Sequence, residues 1–290
     1  MNLAEHILNP GLATPDKLAM SVVGLSRADR WSNARLRQAV LQTANGFQMM
    51  GLKAGAQVLL HLPPGPAAPI VLLGAIAAGL VPAIDLRATE RVGGPMADIA
   101  PSLIVAEKLA VACGQDVPQA SPQQLLDAGE PAGFDFIQRD PDQPAYLATN
   151  GVGCSHRVAL AALQFLVKAH DLCAQDRFLQ VGGWDELSQL EIGLLAPLLA
   201  GGSVLIPSAG VEPYQIPLLG SRHGGTILCG RASALQGLIG PHWRSWNGLR
   251  LGLATSRPDG EELQNSWQQH TGTDLRGPSE RDNEPAVLPD

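Results

Sequence analysis

The sequence predicts an α/β protein made of two layered subdomains whose sheets are mostly parallel. Two observations carry that expectation. Strand-like and helix-like runs alternate through the chain, the pattern of strand–helix–strand units whose parallel sheets are covered by helices on both faces. The alternation is interrupted once, between residues 114 and about 143, where Pro118, Pro122, Pro131 and Pro141 fall without periodic pattern. With 290 residues, 45% of them hydrophobic and 16% charged, the chain is globular and long enough for a substantial core.

Taken in order, Ser32 is placed to cap a helix whose apolar positions Leu36, Val40, Ala44 and Phe47 follow helical spacing and which ends at Gly51. A turn at residues 53–57 leads into a strand over Val58–Leu62, which Pro63, Pro64 and Pro66 stop. A helix over Ile70–Ala78 follows, then short buried strands at Val81–Ile84 and Leu103–Val105. Beyond the proline-rich stretch come a strand at Tyr146–Thr149 and a helix opening at Ser155. The strand Phe178–Val181, the helix Leu187–Leu199 and the strand Ser203–Ile206 form the next unit. The strand Thr226–Cys229, the helix Ala232–Ile239, the strand Leu249–Leu253 and the helix Glu261–His270 complete the series. The expected division is residues 1–118 as the first subdomain, 119–143 as a connection, 144–278 as the second subdomain and 279–290 as a loose tail.

Composition excludes several function classes. A net charge of −7 and 4% aromatic residues provide neither the basic stripe nor the stacking surface of a nucleic-acid binder. Cys113, Cys154, Cys173 and Cys229 contain no CxxC pair and read as reduced thiols of a cytoplasmic protein, and no metal-ligand spacing occurs among the seven histidines. The first residues lack a signal-peptide pattern. The uncharged run Ala67–Ile84 contains Pro69, Gly74, Gly79 and Pro82, which fits a buried helix, a turn and a strand rather than a membrane span.

The most informative stretch runs from Tyr146 to Arg157: a strand, the short turn Thr149-Asn150-Gly151-Val152-Gly153, and a helix start at Ser155-His156-Arg157. It resembles the phosphate-binding segment of the acyl-adenylate-forming enzymes, the AMP-binding and acyl-CoA ligase superfamily. Other runs are similar to that family in the same order: Trp31–Leu36, Gly51–Val58, Leu73–Pro82, Gly193–Val204 and Leu249–Leu253, the last followed by a helix to Thr271-Gly272. The resemblance implies the fold of the family's N-terminal part, without its C-terminal lid.

It also implies a chemistry whose parts are missing. The family's hydroxyl-rich loop with its lysine is shortened here to Thr149, Asn150, Gly151 and Gly153 before Ser155. Four residues cannot supply the amides, hydroxyls and cation that must converge on a triphosphate. The adenine-side turn is replaced by Ala254–Pro258, which contains Ser256, and the Tyr-Gly-x-Thr-Glu run by Leu275–Asp282, leaving Gly277 and Glu280 as remnants of the adenine and Mg²⁺ region. Gly182, Gly183 and Trp184, with Gly230, fall where the family builds its acyl pocket; Trp184 either lines a surviving pocket or fills the space a ligand once used. Cys154 and His156, two residues apart at a helix start, do not face each other as a nucleophile–base pair. Trp243 and Trp246 form either an exposed aromatic patch or edge packing.

No catalytic residue, metal ligand or cofactor is therefore expected. The reading is a degenerate adenylate-forming-like protein that binds an acyl or aryl carboxylate, or docks on a pathway enzyme such as a full-length homologue. One alternative is a split ligase that uses ATP and Mg²⁺ with a lid from another chain; the other is a structural, oligomerising subunit.

Overall fold

The computed structural model describes residues 1–84, 101–107, 117–130, 133–147, 151–184, 187–240, 243, 245–257 and 261–278. The chain opens with α1 (Leu3–Leu8), β1 (Leu18–Val23) and β2 (Ala28–Ser32). Ser32 accepts a hydrogen bond from the Arg35 amide and so caps α2 (Asn33–Met49), as its position in the sequence predicts. Next come β3 (Gln57–His61), α3 (Ala67–Ala77), β4 (Val81–Ile84), β5 (Leu103–Ala106), β6 (Gln119–Ala120) and α4 (Pro122–Ala128).

The second half contains β7 (Pro144–Leu147), β8 (Gly153–Ser155), α5 (His156–Ala169), β9 (Arg177–Val181), α6 (Leu187–Leu190) and α7 (Ala196–Leu199), the last two joined by a π-helical turn over Glu191–Leu195. It ends with β10 (Ser203–Pro207), α8 (Ile216–Arg222), β11 (Ile227–Gly230), α9 (Ala232–Leu238), β12 (Leu251–Ala254), α10 (Glu261–Thr271) and β13 (Asp274–Arg276).

Two sheets result. The seven-stranded sheet has the order β13-β12-β11-β9-β10-β1-β2 and the six-stranded sheet the order β6-β5-β3-β4-β7-β8. Among the described residues only the edge pairings β1–β2 and β7–β8 are antiparallel. Helices α1, α2, α3, α5 and α7 share a single large core with one face of each sheet, including Met20, Phe178 and Ile227 from one and Val58, Leu60 and Val105 from the other. Alternation along each strand sends the intervening residues the other way. Leu179, Leu205 and Leu228 thus meet α8, α9 and α10 in a second core, and Leu59, Val81 and Ile104 belong to a third.

The two sheets do not follow contiguous segments of the chain. Residues 18–32 lie within the predicted first subdomain, yet β1 pairs with β10 from Met20↔Val204 to Val23↔Pro207 and so belongs to the sheet of the second half. The reason is apolar burial: Met20 and Val23 face opposite sides of that sheet, one into each core. The predicted connection 119–143 also contains structure, since β6 and α4 lie within it and Ser121 with Gln124 forms a reciprocal cap on α4. The uncharged run 67–84 folds as α3, a turn at Gly79 and β4. Among the described residues no helix is long and apolar enough to cross a membrane.

Candidate functional site

In an open α/β sheet, ligands bind beyond the carboxyl ends of the strands, where successive connections leave in opposite directions. Here β9 connects to β10 on one side, while β11 leads to β12 and β13 on the other. The crevice therefore opens between the ends of β9 and β11, where Gly230 is in register with Val181 and with Ala254. The segments leaving this edge carry Gly182, Gly183 and Trp184 after β9, Thr255 and Ser256 after β12, and Gly277 after β13. Six residues the sequence singled out (Gly182, Gly183, Trp184, Gly230, Ser256 and Gly277) are thus gathered at one edge.

Their local roles differ. Gly182 has φ +88° with open space where a side chain would begin, so its glycine serves the backbone turn. Gly230 is needed for close approach: a Cβ there would lie 2.9 Å from the Val181 carbonyl. The Ser256 hydroxyl accepts from the Ala232 amide at 3.0 Å, tying the turn after β12 to the first residue of α9. Gly277 is half-buried, and Glu280 lies outside the described residues.

Trp184 is buried among the residues of the large core, with its indole N–H unpartnered. The same holds for Gln180 Oε1 on β9, Gln189 Oε1 on α6 and the Thr255 hydroxyl, all in buried side chains. Buried polar atoms nearly always find partners, so these four are polar groups without a protein partner on the segments that leave this edge or lie next to it. Gln180, Gln189 and Thr255 were not singled out from the sequence. The available signal was their polarity inside apolar runs, Phe178-Leu-Gln-Val181 above all.

The segment expected from the sequence to be a shortened phosphate loop lies on the other sheet. Leu147 of β7 is in register with Gly153 of β8, so the two strands are joined by residues 148–152. The predicted strand reached Thr149; β7 ends at Leu147, and Thr149 and Asn150 lie outside the described residues. Gly151 has φ +77° and open space around it. Gly153 packs against the Pro144 ring, and Ser155 caps α5 by accepting from the Val158 amide at 3.3 Å.

The two sheets meet just beside this hairpin. Tyr146 on β7 donates a 2.6 Å hydrogen bond to Glu191 in the π-helical turn that follows β9. Burial raises the Glu191 carboxyl above its ordinary pKa, and the Tyr146 hydrogen bond pulls part of that back. Burial likewise pushes the Cys154 and Cys229 thiols up, so neither is an activated thiolate. His156 is buried with Nδ1 accepting from the Leu3 amide, and desolvation lowers its pKa to about 4, which keeps the ring neutral. A packed, neutral histidine and a protonated thiol form no nucleophile–base pair. The aromatic pair is edge packing: Trp246 is buried and donates to the Gly225 carbonyl, while Trp243 stands edge-on to Trp267 at 5.8 Å. Among the described residues no group of three His, Cys, Asp or Glu side chains is placed to hold a metal.

Comparison with known proteins places this architecture. The sequence profile of the AMP-binding enzyme family matches residues 11–280. The chain belongs to the AMP-binding enzyme family. Solved structures with this fold include apo MatB from Rhodopseudomonas palustris, at 23% identity and a TM-score of 0.79, with 96% of this chain and 60% of that one covered. A benzoate CoA ligase from Burkholderia xenovorans LB400 shares 15% identity with a TM-score of 0.82, covering 96% of this chain and 60% of that one. A Brucella canis acyl-CoA synthetase shares 18% identity with a TM-score of 0.82, covering 95% and 56%. A comparison with curated proteins gives no match. This AMP-binding family member thus spans about 60% of the length of MatB and the benzoate ligase. At these identities the likeness is one of fold.

Proposed function

We propose that this AMP-binding family member is non-catalytic and binds a small acyl or aryl carboxylic acid at the carboxyl edge of its seven-stranded sheet. The β7–β8 hairpin carries the proposal. With Leu147 opposite Gly153, the connection Ala148-Thr149-Asn150-Gly151-Val152 offers one side-chain hydroxyl and no cation. Adenylation places an attacking carboxylate in line with an α-phosphate while cations and amides absorb the developing charge. Each such donor lost commonly costs about 10²–10³ in rate. The hairpin thus argues against turnover, while the unpartnered Trp184, Gln180, Gln189 and Thr255 atoms argue for a small polar ligand at the crevice.

A thermal-shift series with Mg·ATP, AMP and a panel of aryl and fatty acids tests this reading. A ligand at about 100 times its Kd stabilises by about 2.7 kcal/mol, a shift of about 5–10 °C for a domain approaching this size. Stabilisation by a carboxylic acid, with none by Mg·ATP, is the expected result. Stabilisation by Mg·ATP would overturn the non-catalytic reading in favour of a split ligase completed by a lid from another chain.

A second reading, docking on a pathway enzyme such as a full-length homologue, is favoured by α5. Val158 and Phe165 are 41% and 56% exposed at helical spacing on this helix, and Val152 in the preceding turn is 62% exposed. Silence across the ligand panel together with co-elution of a homologue, lost in Phe165→Asp, would select this reading.

A further inference from the structure

A pocket of about 300 Å³ lies on the face of the seven-stranded sheet that is turned away from the six-stranded sheet. Its floor includes Leu18, Val23 and Leu205, and its rim carries Arg30, Arg177, Arg222 and His223 with the hydroxyls of Ser21 and Ser221. Among the described residues no carboxylate lines it. That is unexpected in a chain with 27 acidic against 20 basic residues.

The acids adjacent in sequence are turned elsewhere and already paired. Asp29 precedes Arg30 on β2 and so projects to the opposite face, where it accepts from Arg35 and Trp31. Asp176 precedes Arg177 and is held by both guanidinium nitrogens of Arg250. Among the described residues Arg177 and Arg222 bond only to backbone carbonyls, those of His223 and Leu25, and the His223 ring meets the Gly24 carbonyl. These bonds position the side chains without neutralising them. Arg177 also opposes the charge of Lys17, which binds the Ala174 and Gly201 carbonyls alongside.

We propose that this pocket is a second ligand site, distinct from the crevice, that takes a compact oxyanion of more than one charge on a small apolar body, a phosphate monoester being the best fit. A carboxylate brings one charge; a phosphate monoester brings nearly two at neutral pH and three acceptor oxygens, which match forked guanidinium donors. Leu18, Val23 and Leu205 give its organic part an apolar floor.

Isothermal titration of the whole chain with phenyl phosphate, inorganic phosphate and benzoate, at fixed ionic strength, tests the proposal. Phenyl phosphate is expected to bind saturably and more tightly than inorganic phosphate; benzoate, which the crevice would take, is expected to keep its affinity in Arg30→Ala. Arg30 is exposed, so Arg30→Ala keeps the fold, and it should weaken phenyl phosphate binding about tenfold. Thr255→Val, at the crevice, should leave that binding unchanged. Absence of saturable binding, equal affinity in Arg30→Ala, or loss in Thr255→Val instead would each overturn the proposal.

Discussion

The Tyr146 hydroxyl and the Glu191 carboxylate, 45 residues apart, meet at 2.6 Å across the seam between the two sheets. Tyr146 is buried and Glu191 half-buried, and desolvation raises both pKa values. The bond joins β7 to the π-helical turn between α6 and α7. π-turns interrupt α-helices mostly at functional positions. Here the turn brings Gly193 so near Gln180 that even a Cβ would collide with its amide.

Tyr146→Phe removes this donor and leaves Glu191 Oε1 without it, at a cost of about 1–3 kcal/mol. The sign of the pH dependence follows from the raised Glu191 pKa. The folded state keeps that proton longer than the unfolded chain, so the stability linked to it is complete below the ordinary carboxylate pKa and is lost as pH rises through the raised value. The Tyr146 bond limits this loss. Urea denaturation at pH 5 and pH 8 should therefore show a larger penalty for Tyr146→Phe at pH 8; an equal penalty at both would sink the argument.

His156 works in the opposite pH direction. Its folded pKa of about 4 lies below the ordinary 6.5, so protonation opposes folding. Stability is lost as pH falls from about 6.5 towards 4, by up to about 3 kcal/mol. In His156→Asn the amide oxygen can replace Nδ1 as acceptor for the Leu3 amide. That variant should flatten the profile between pH 6.5 and 4, measured by denaturant midpoints, without unfolding the protein at pH 7.

Asp176 sits under Arg250, which reaches it at 2.7 and 2.6 Å, and also accepts from the Cys173 amide and the Thr226 hydroxyl. Burial works to raise its pKa, and these hydrogen bonds outweigh burial and hold it below the ordinary carboxylate value. Its stabilisation is present above that ordinary value and disappears as pH falls through the depressed one. Arg250→Met leaves a buried charge, at a cost of about 3 kcal/mol at pH 7. The acid limb of the stability profile should move towards neutral pH in this variant, and calorimetry across pH 3–7 would detect its failure to do so.

Asn2 is fully buried, and its amide donates to the Ile76 carbonyl at 2.8 Å near the end of α3 and to the Ile137 carbonyl at 2.9 Å. Its side-chain oxygen accepts from the Ala4 amide and caps α1. Asn2→Ala takes the side-chain partner from the Ile137 carbonyl and the Ala4 amide, while the Ile76 carbonyl keeps the Gly79 amide, and should cost about 2–4 kcal/mol in a urea titration. Asn2→Asp keeps the cap but loses the donors, so it should recover only part of that loss.

The sequence by itself determined the α/β alternation, the caps at Ser32 and Ser155, the family, and the shortness of the connection from Leu147 to Gly153. These are local properties: periodicity, capping chemistry and spacing act within a few residues. Tertiary structure decided what depends on distant segments meeting. It placed β1 and β2 in the sheet of the second half, because Met20 and Val23 find their apolar partners there. It buried Trp184 and Trp246 where the sequence left both alternatives open. It paired Tyr146 with Glu191, and it assembled Arg30, Arg177 and Arg222 from three elements into one pocket. No local pattern encodes such meetings, because they arise from sheet order, which is set by how whole faces bury rather than by any short run of residues.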